Sequence, residues 1–450
     1  MDLWVGKYVT IMNITLKRFV AREEYFGALI YDRQRGDYIP FDKDATHIFK
    51  LSLEKTPDEV FASLDKSVTE QNFKTFMQLC QSIELVDAQG KYLGDFVNNT
   101  PVPQVLSAPL KAHLQITNAC ELKCRHCSQE TRDAFRDELT LEEIKKLLDD
   151  LASIGTFELN IGGGEPFLRD DDLVATIAYA RKLGINVSLS TSGLFVSRVV
   201  AKKIAELGLK KIRISFDGAT EKSYDYFRGK GTYRRAIRGI KTLRELFDIP
   251  ITIHTVLMKP NLGEILTIVR AVQKLRCNIW SVDFVKPVGS AKPMKQFLLD
   301  NSDAVKAMKT IRHLAETSSV KIVMPQFPYK APKKGVYRGF GCVGANLYTF
   351  IDARGTVKPC TFLPDEYASG NIRTKHIRDI WQQGEGHLKL RELSGNETCL
   401  NCEFYNSCRG GCRARAIYEK MPDAVDPLCF IHQDKPEPQP VRKMDSLGFM

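Results

Sequence analysis

The sequence lacks the features that direct a chain into or across a membrane. Its first residues, Met1-Asp-Leu-Trp, do not form a signal-peptide pattern, and no apolar run is long enough to span a bilayer. These absences predict a cytoplasmic protein with no membrane partner. In that reducing compartment, twelve cysteines indicate metal binding or catalysis in place of disulfide bonds.

The chain also lacks a block of basic residues. Its formal net charge is +11, and such a basic balance can indicate nucleic-acid binding. Lysine and arginine are nevertheless spread along all 450 residues, so we expect ordinary solvated surfaces and no nucleic-acid partner. Hydrophobic residues make up 43% of the chain, which is enough to bury a full core without disulfide bonds.

The hydrophobic pattern predicts an α/β fold. In residues 1–105, a hairpin pattern at 25–38 precedes helix patterns that begin at Thr56 and at Glu70. Strand and helix patterns then alternate, which is typical of parallel βαβ units. The predicted strands are residues 113–117, 157–161, 185–190, 211–216, 251–257 and 278–285. Six units predict a partial (β/α)6 TIM-like barrel, with its ligand site at the carboxyl ends of the strands.

A cysteine motif follows the first of these strands. Cys120, Cys124 and Cys127 have the spacing C-x3-C-x2-C. Three thiolates leave one iron of a four-iron cluster open to bind a small molecule. The alternative is zinc, which prefers four closed ligands. No fourth cysteine is near, and His126 lies inside the second cysteine pair, where it would be strained, so the cluster is favoured.

A second motif, Gly162-Gly-Gly-Glu165-Pro166, follows the second strand. Glycines there let backbone approach a ligand closely, although an ordinary strand-to-helix turn is the alternative. Together the two motifs resemble the radical S-adenosylmethionine (SAM) enzymes. In that family the open iron chelates SAM, and an electron from the cluster cleaves SAM to methionine and a 5′-deoxyadenosyl radical. That radical abstracts a hydrogen atom from an unactivated carbon.

The resemblance implies further site residues. SAM contacts are expected from Gly163, Gly164 and Glu165 at the methionyl amine, from Ser190, Thr191 and Ser192 near the ribose, and from Arg228 at the carboxylate. Asp217 ends the fourth strand and would face the substrate as a catalytic residue. The alternatives are a surface position for Arg228 and a turn-capping role for Asp217.

Seven more cysteines follow the barrel, and a zinc-knuckle pair is one interpretation of them. Their spacing resembles the SPASM domain, which holds two auxiliary four-iron clusters beside many radical SAM barrels. On that resemblance, one cluster is held by Cys399, Cys402, Cys408 and Cys429, and the other by Cys342, Cys360 and Cys412. The second set has no fourth cysteine, so an open iron or another ligand is expected. The implied cofactors are three [4Fe–4S] clusters and SAM, while Cys80 and Cys277 are predicted to be buried free thiols.

The domain order suggests a substrate. Residues 1–105 resemble the winged-helix, PqqD-like domains that bind leader peptides, followed by the barrel (106–330), the SPASM domain (331–435) and a flexible tail (436–450). We therefore expect a precursor peptide as substrate, a thioether or carbon–carbon crosslink as product, and flavodoxin or ferredoxin as reductant. Cofactor or porphyrin side-chain chemistry and a non-catalytic iron–sulfur or zinc protein are the alternatives. Sulfatase maturation is disfavoured because Thr361 replaces the aspartate expected after Cys360.

Overall fold

The computed structural model describes residues 16–324, 342–393, 395–429 and 431, and its N-terminal part is a small mixed sheet with helices. The elements are β1 (Phe19–Glu24), β2 (Gly27–Asp32), β3 (Asp37–Phe41), α1 (Lys43–Leu51), α2 (Pro57–Ala62), α3 (Glu70–Ser82) and β4 (Gly94–Val97). The strand order is β3-β2-β1-β4, in which β4 is parallel to β1 and the other pairs are antiparallel. The predicted hairpin and both predicted helices are confirmed, and Cys80 is buried against this sheet.

The barrel follows as alternating strands and helices. Its elements are β5 (Lys111–Gln115), α4 (Leu141–Ser153), β6 (Glu158–Gly162), α5 (Asp170–Lys182), β7 (Asn186–Thr191), α6 (Arg198–Glu206), β8 (Lys211–Ser215), α7 (Glu221–Arg228), α8 (Thr232–Leu246), β9 (Ile251–Leu257), α9 (Ile265–Lys274), β10 (Ile279–Phe284) and α10 (Asn301–Thr317). Neighbouring strands from β5 to β10 are all parallel. All six predicted strands are present, with ends shifted by at most two residues.

Local sequence explains why these elements form. Thr140 and Glu143 make a reciprocal capping box at the start of α4, which satisfies backbone N–H groups that the first turn leaves free. The helix then buries Ile144, Leu147 and Leu151 on one face, at the spacing of helical turns. The barrel helices therefore cover the outer face of the sheet, and the strand ends remain available for a site. Across the described ranges, no helix is both long and apolar enough to cross a membrane.

The barrel sheet is larger than the sequence predicts. A short strand, β11 (Lys321–Val323), extends it beyond β10, and β12 (Tyr348–Ile351) pairs in parallel with β5. The hairpin strands β13 (Thr356–Lys358) and β14 (Gly370–Asn371) complete a ten-stranded sheet. The C-terminal part thus continues the sheet of the barrel. The predicted boundary at residue 331 and the predicted tail at 436–450 lie outside the described residues.

The rest of the C-terminal part consists of short helices around the cysteines. They are α11 (Ile377–Gln383), α12 (Glu385–Glu392), α13 (Glu397–Leu400), α14 (Tyr405–Cys408) and α15 (Arg413–Tyr418). One apolar cluster joins this part to the barrel and the N-terminal sheet; its buried members are Val20, Leu29, Tyr31, Leu106, Leu110, Phe157, Leu347 and Trp381. The Trp381 indole N–H donates to the Leu106 carbonyl at 2.7 Å. The three parts are therefore fixed to each other at the amino ends of the barrel strands.

Candidate active site

A cavity of about 540 Å³ lies at the carboxyl ends of the barrel strands and extends into the lumen. Its volume is within the range of small-molecule sites. Its walls include residues from β5 to β10, from the loop after β5 and from the C-terminal part around Cys360. Of the predicted site residues, the cavity is lined by Cys120, Cys124, Cys127, Gly163, Gly164, Ser190, Thr191, Ser192, Arg228 and Cys360. The parallel strands therefore bring most of the predicted site together.

The loop that carries the three cysteines is held by backbone hydrogen bonds. The Cys120 N–H donates to the Arg132 carbonyl at 2.7 Å, and the Ser290 N–H donates to the Cys127 carbonyl at 2.9 Å. Burial raises the pKa of the Cys124 thiol to about 11, while the nearby Arg228 guanidinium opposes that rise. Three thiols on one wall beside a guanidinium fit a cluster whose open iron would face the cavity.

The geometry gives the zinc alternative no support. Within the described ranges, no three Cys, His, Asp or Glu side chains are placed to hold a single metal ion. The three thiols of the loop nevertheless influence one another electrostatically, since Cys120 and Cys127 both act on the pKa of Cys124. The thiols are therefore close, but they do not converge on one point.

The glycine motif lies directly against this loop. The Gly164 N–H donates to the Thr117 carbonyl, and the Glu165 N–H donates to the Ala119 carbonyl, both at 2.8 Å. A Cβ atom at Gly164 would lie 2.0 Å from the Ala119 carbonyl oxygen. Only glycine permits this approach, because the atom in the way belongs to the backbone. The motif thus fixes the distance between β6 and the cysteine loop.

Glu165 has a different position from the one expected. Its carboxylate is fully buried and is absent from the cavity wall. It accepts hydrogen bonds from the Thr191 hydroxyl at 2.6 Å and from the Ser192 N–H at 2.8 Å. Burial raises the pKa of Glu165, and these hydrogen bonds oppose the rise. The side chain therefore holds the end of β7, and the glycine backbone beside it reaches the cavity. Ser190 also lines the cavity and donates to Asn160 at 3.1 Å.

Asp217 likewise does not face the cavity, contrary to the prediction. Its carboxylate is fully buried and accepts from Arg228 Nε at 2.7 Å, from Arg228 Nη2 at 2.6 Å and from the Val256 N–H at 2.8 Å. His126 Nε2 lies 3.0 Å from the same carboxylate. Arg228 and His126 hold the pKa of Asp217 below its usual range against the effect of burial. These contacts leave Asp217 behind Arg228, whose Nη1 lies 4.0 Å from Cys124 Sγ.

His126 is the residue that the sequence interpretation missed. The sequence pattern indicates it only as a strained zinc ligand, yet it lines the cavity and contacts Asp217. Its Nδ1 atom is buried and has no hydrogen-bond partner in the described part of the chain. A bound ligand could provide that partner. The sequence does contain a sign of this role, because His126 lies between Cys124 and Cys127, and both cysteines are expected to face a ligand.

The C-terminal thiols divide into two groups. Burial raises the pKa of Cys360 to about 12, and Cys342 and Cys412 raise it further. In the other group, Cys399 is influenced by Cys429 and Cys402, and Cys408 by Cys429 and Cys399. Each group contains members of one of the two predicted ligand sets, which stay predictions. The first group adjoins the cavity, and Gln129 donates to the Thr361 carbonyl at 2.6 Å, linking the two cysteine regions.

Comparison with known proteins agrees with this architecture. Family models described as the radical SAM superfamily and as the SPASM iron–sulfur cluster-binding domain match residues 114–272 and 342–403. The AdoMet-dependent heme synthase of Methanosarcina barkeri is 31% identical over 354 residues, which cover 73% of this chain and 98% of that protein. The PqqA peptide cyclase of Bradyrhizobium diazoefficiens is 30% identical over 345 residues, which cover 73% of this chain and 88% of that protein.

A solved structure shares the fold over a greater length. The crystal structure of Streptococcus suis SuiB bound to precursor peptide SuiA has a TM-score of 0.74 and 19% sequence identity. The match covers 92% of this chain and 99% of SuiB. The uncovered share is smaller than the N-terminal region, so the similarity includes part of that region. Fold, cysteine motifs and sequence identity lead to one conclusion: the chain belongs to the radical SAM enzymes that carry a C-terminal SPASM domain.

Proposed function

We propose that this enzyme abstracts hydrogen from a ribosomally made precursor peptide and forms a thioether or carbon–carbon crosslink in it. The observation that carries this proposal is the fold similarity to SuiB, which includes part of the N-terminal region and comes from a complex with a precursor peptide. The PqqA peptide cyclase, which is 30% identical, is also named for action on a peptide, and this supports a peptide substrate. The non-catalytic alternative is excluded, because the chain belongs to a family of enzymes.

At the SAM end of the cavity, Cys120, Cys124 and Cys127 would hold the cluster. Cluster and SAM together supply a 5′-deoxyadenosyl radical when both are bound. Arg228 would bind the SAM carboxylate through Nη1, because Asp217 already engages its Nε and Nη2 atoms. Asp217 is therefore a positioning residue in this proposal, and the backbone of the glycine motif would contact the methionyl amine.

Three clusters are proposed in all. Cys399, Cys402, Cys408 and Cys429 would close one auxiliary cluster, and Cys342, Cys360 and Cys412 would hold the other beside the cavity. Each needs free thiols, and all twelve cysteines are free of disulfides. A reducing compartment such as the cytoplasm would keep them so. Flavodoxin or ferredoxin is the proposed electron donor.

The N-terminal sheet would bind the leader of the peptide. Among the described strands, none pairs with the outer edge of β3, so that edge can accept an added strand from a peptide. The Tyr38 hydroxyl on β3 donates to Glu158 on β6 at 2.6 Å, which fixes this edge to the barrel. A leader held there raises the local concentration of the segment to be modified.

The distance between the proposed leader site and the cysteine loop sets a minimum length for the peptide segment that connects them. The N-terminal sheet docks at the amino ends of β5 and β6, whereas the cysteine loop follows the carboxyl end of β5. With a rise of about 3.3 Å per residue, a five-residue strand separates these levels by roughly 15 Å. An extended peptide therefore needs a spacer of about five or more residues between leader and modified residue.

A second candidate is side-chain chemistry on a porphyrin. It is favoured by the heme synthase relative, 98% of whose length is covered by the alignment. This alignment leaves about a quarter of the present chain unmatched. The peptide proposal is preferred because the fold similarity to SuiB leaves less of the chain unmatched.

Co-expression with the short peptides encoded beside the gene, followed by mass spectrometry, tests the proposal. We expect one peptide to lose two hydrogen atoms with the enzyme and to stay unchanged with Cys124→Ala. One hydrogen would go to the 5′-deoxyadenosyl radical, and the other would leave as a proton, with its electron accepted by an auxiliary cluster. A leaderless version of that peptide should react far more slowly, and the separate leader should inhibit the full peptide. Conversion of a propionate-bearing porphyrin with no change in any peptide would refute the proposal in favour of the second candidate.

A further inference from the structure

The inner face of β8 places charge inside the barrel. Ile212 and Ile214 are buried against the helices, while Lys211, Arg213 and Ser215 alternate with them toward the lumen. Arg213 is the most exposed residue of this strand, and it lines the cavity. Its exposed surface therefore faces the cavity, where a ligand can reach its guanidinium.

Arg213 is unusual among the charged residues of the cavity wall. The wall contains four Lys or Arg side chains and one carboxylate, namely Lys111, Arg213, Arg228, Lys286 and Asp283. Three of the cations have acidic partners: Lys111 with Glu158 at 3.3 Å, Lys286 with Asp283 at 2.5 Å, and Arg228 with Asp217 at 2.6 Å. The Arg213 side chain has no hydrogen bond or ion pair with any residue that the structure describes.

Asp283 is the carboxylate that acts electrostatically on Arg213, but it already pairs with Lys286. The other titratable neighbours do not supply an anion. Burial lowers the pKa of His113 and of His254 to about 3, with Arg213 and other cations contributing, so both imidazoles are neutral near pH 7. Burial lowers the pKa of Lys211 to about 8, and burial raises the pKa of Tyr348 well above its usual value. None of the four is therefore negatively charged at neutral pH.

The Arg213 guanidinium is exposed to the cavity, and Asp283 is already engaged by Lys286, so an anion that enters the cavity can pair with Arg213. A guanidinium binds a carboxylate through two parallel hydrogen bonds, which makes a carboxylate the best match for Arg213. In the sheet, Arg213 is in register with Ser190 of β7, and it lies two residues before Ser215, roughly 6 to 7 Å deeper than the strand end. That depth separates it from Arg228 and from the cysteine loop, where the methionyl part of SAM would bind. Its register partner Ser190 is an expected ribose contact, so SAM affinity is measured as well.

We propose that Arg213 binds a carboxylate group of the substrate inside the barrel. The inference rests on the proposed function only in taking this cavity as the substrate site. The carboxylate can come from an acidic peptide side chain, from a peptide C-terminus or from the propionates of a porphyrin.

Titration calorimetry on the reconstituted, SAM-loaded, full-length protein tests the proposal. The probes are acetyl-Ala-Glu-Ala-amide, acetyl-Ala-Gln-Ala as free acid, acetyl-Ala-Gln-Ala-amide and coproporphyrin. We expect at least one acid to bind about tenfold or more tightly than the neutral amide, as for a charge-assisted hydrogen bond. Arg213→Gln should remove this preference, whereas Arg213→Lys should keep part of it. Arg238→Gln removes an equal charge from an exposed position on α8 and should keep all of it.

Each outcome either identifies the source of the carboxylate, peptide or porphyrin, or shows that Arg213 does not bind one. A preference for coproporphyrin alone keeps the Arg213 site and overturns the peptide proposal. Equal binding of acids and amide by the unaltered enzyme overturns the site, as does an acid preference that survives Arg213→Gln. A tenfold loss of SAM affinity in that variant would assign Arg213 to SAM and contradict the proposal.

Discussion

Replacement of Asp217 by asparagine tests how the cysteine loop and Arg228 are held. The change keeps the shape of the side chain and removes its charge. Arg228 would then remain buried with no acidic partner, because its Nε and Nη2 atoms both contact this carboxylate. Loss of one partner of a buried ion pair costs about 3–5 kcal/mol of unfolding free energy, mostly from the charge left behind.

An exposed ion pair provides the matched control. Arg198 and Glu245 are 2.7 Å apart, with side chains 63% and 59% exposed. Glu245→Gln removes the same charge from a pair of similar length, and it should cost less than about 1 kcal/mol. The two variants therefore differ mainly in burial.

The pH dependence follows from the lowered pKa of Asp217. A carboxyl with a depressed folded pKa stabilises the protein above its unfolded value of about 3.9, and this contribution is lost as the pH falls. The difference between the parent protein and Asp217→Asn should be constant near pH 7 and should shrink below about pH 4.

Urea unfolding followed by tryptophan fluorescence measures the stability effect, and titration with SAM measures the effect on the site. We expect Asp217→Asn to weaken SAM binding as well, because Arg228 loses the contact that orients it. The reasoning fails if Asp217→Asn loses no more stability than Glu245→Gln and binds SAM as tightly as the parent protein. That result would show that the carboxylate does not position Arg228.

Two further substitutions have sharp expectations. Gly164→Ala should prevent iron retention after anaerobic reconstitution, because its Cβ would overlap the Ala119 carbonyl. In the control Gly263→Ala, no atom lies within 4 Å of the added Cβ, so iron should be retained normally. Equal iron content in the two variants would contradict the close-approach argument. Trp381→Ala should lower the unfolding free energy by about 3–5 kcal/mol, whereas Leu388→Ala, at a residue 44% exposed, should have little effect. Similar urea midpoints for the two variants would contradict a core shared by the three parts of the chain.

Features encoded by short stretches of sequence were predictable. The six barrel strands follow from local hydrophobic runs, and the helix over 141–153 follows from the capping box at Thr140 and Glu143. The cysteine spacing identified the loop after β5 for the same reason, since all three thiols lie within eight residues. The strand order then brings the Gly162 motif and Ser190 to the same end of the sheet without further information.

Features that depend on contacts distant in sequence were not predictable. Strand β12 has four residues and pairs with β5, more than 230 residues earlier, so its short apolar run gave no sign of that partner. Asp217 was expected to face the substrate because it ends a strand. Its true direction depends on Arg228 and His126, which lie on other elements. The position of Arg213 required the strand alternation to be combined with the charges of neighbouring strands.

The arrangement separates the parts that stabilise the fold from those that carry the chemistry. Trp381, Phe157 and Leu29 join all three regions at the amino ends of the barrel strands, while the cavity lies at the carboxyl ends. Strand-end loops at the cavity can therefore vary with little effect on the joint between the regions. The proposed leader site lies on the stabilising side, so a bound leader would act on the reaction through the peptide that connects it to the cavity. It follows that spacer length in the precursor, more than leader affinity, should determine which residue is modified.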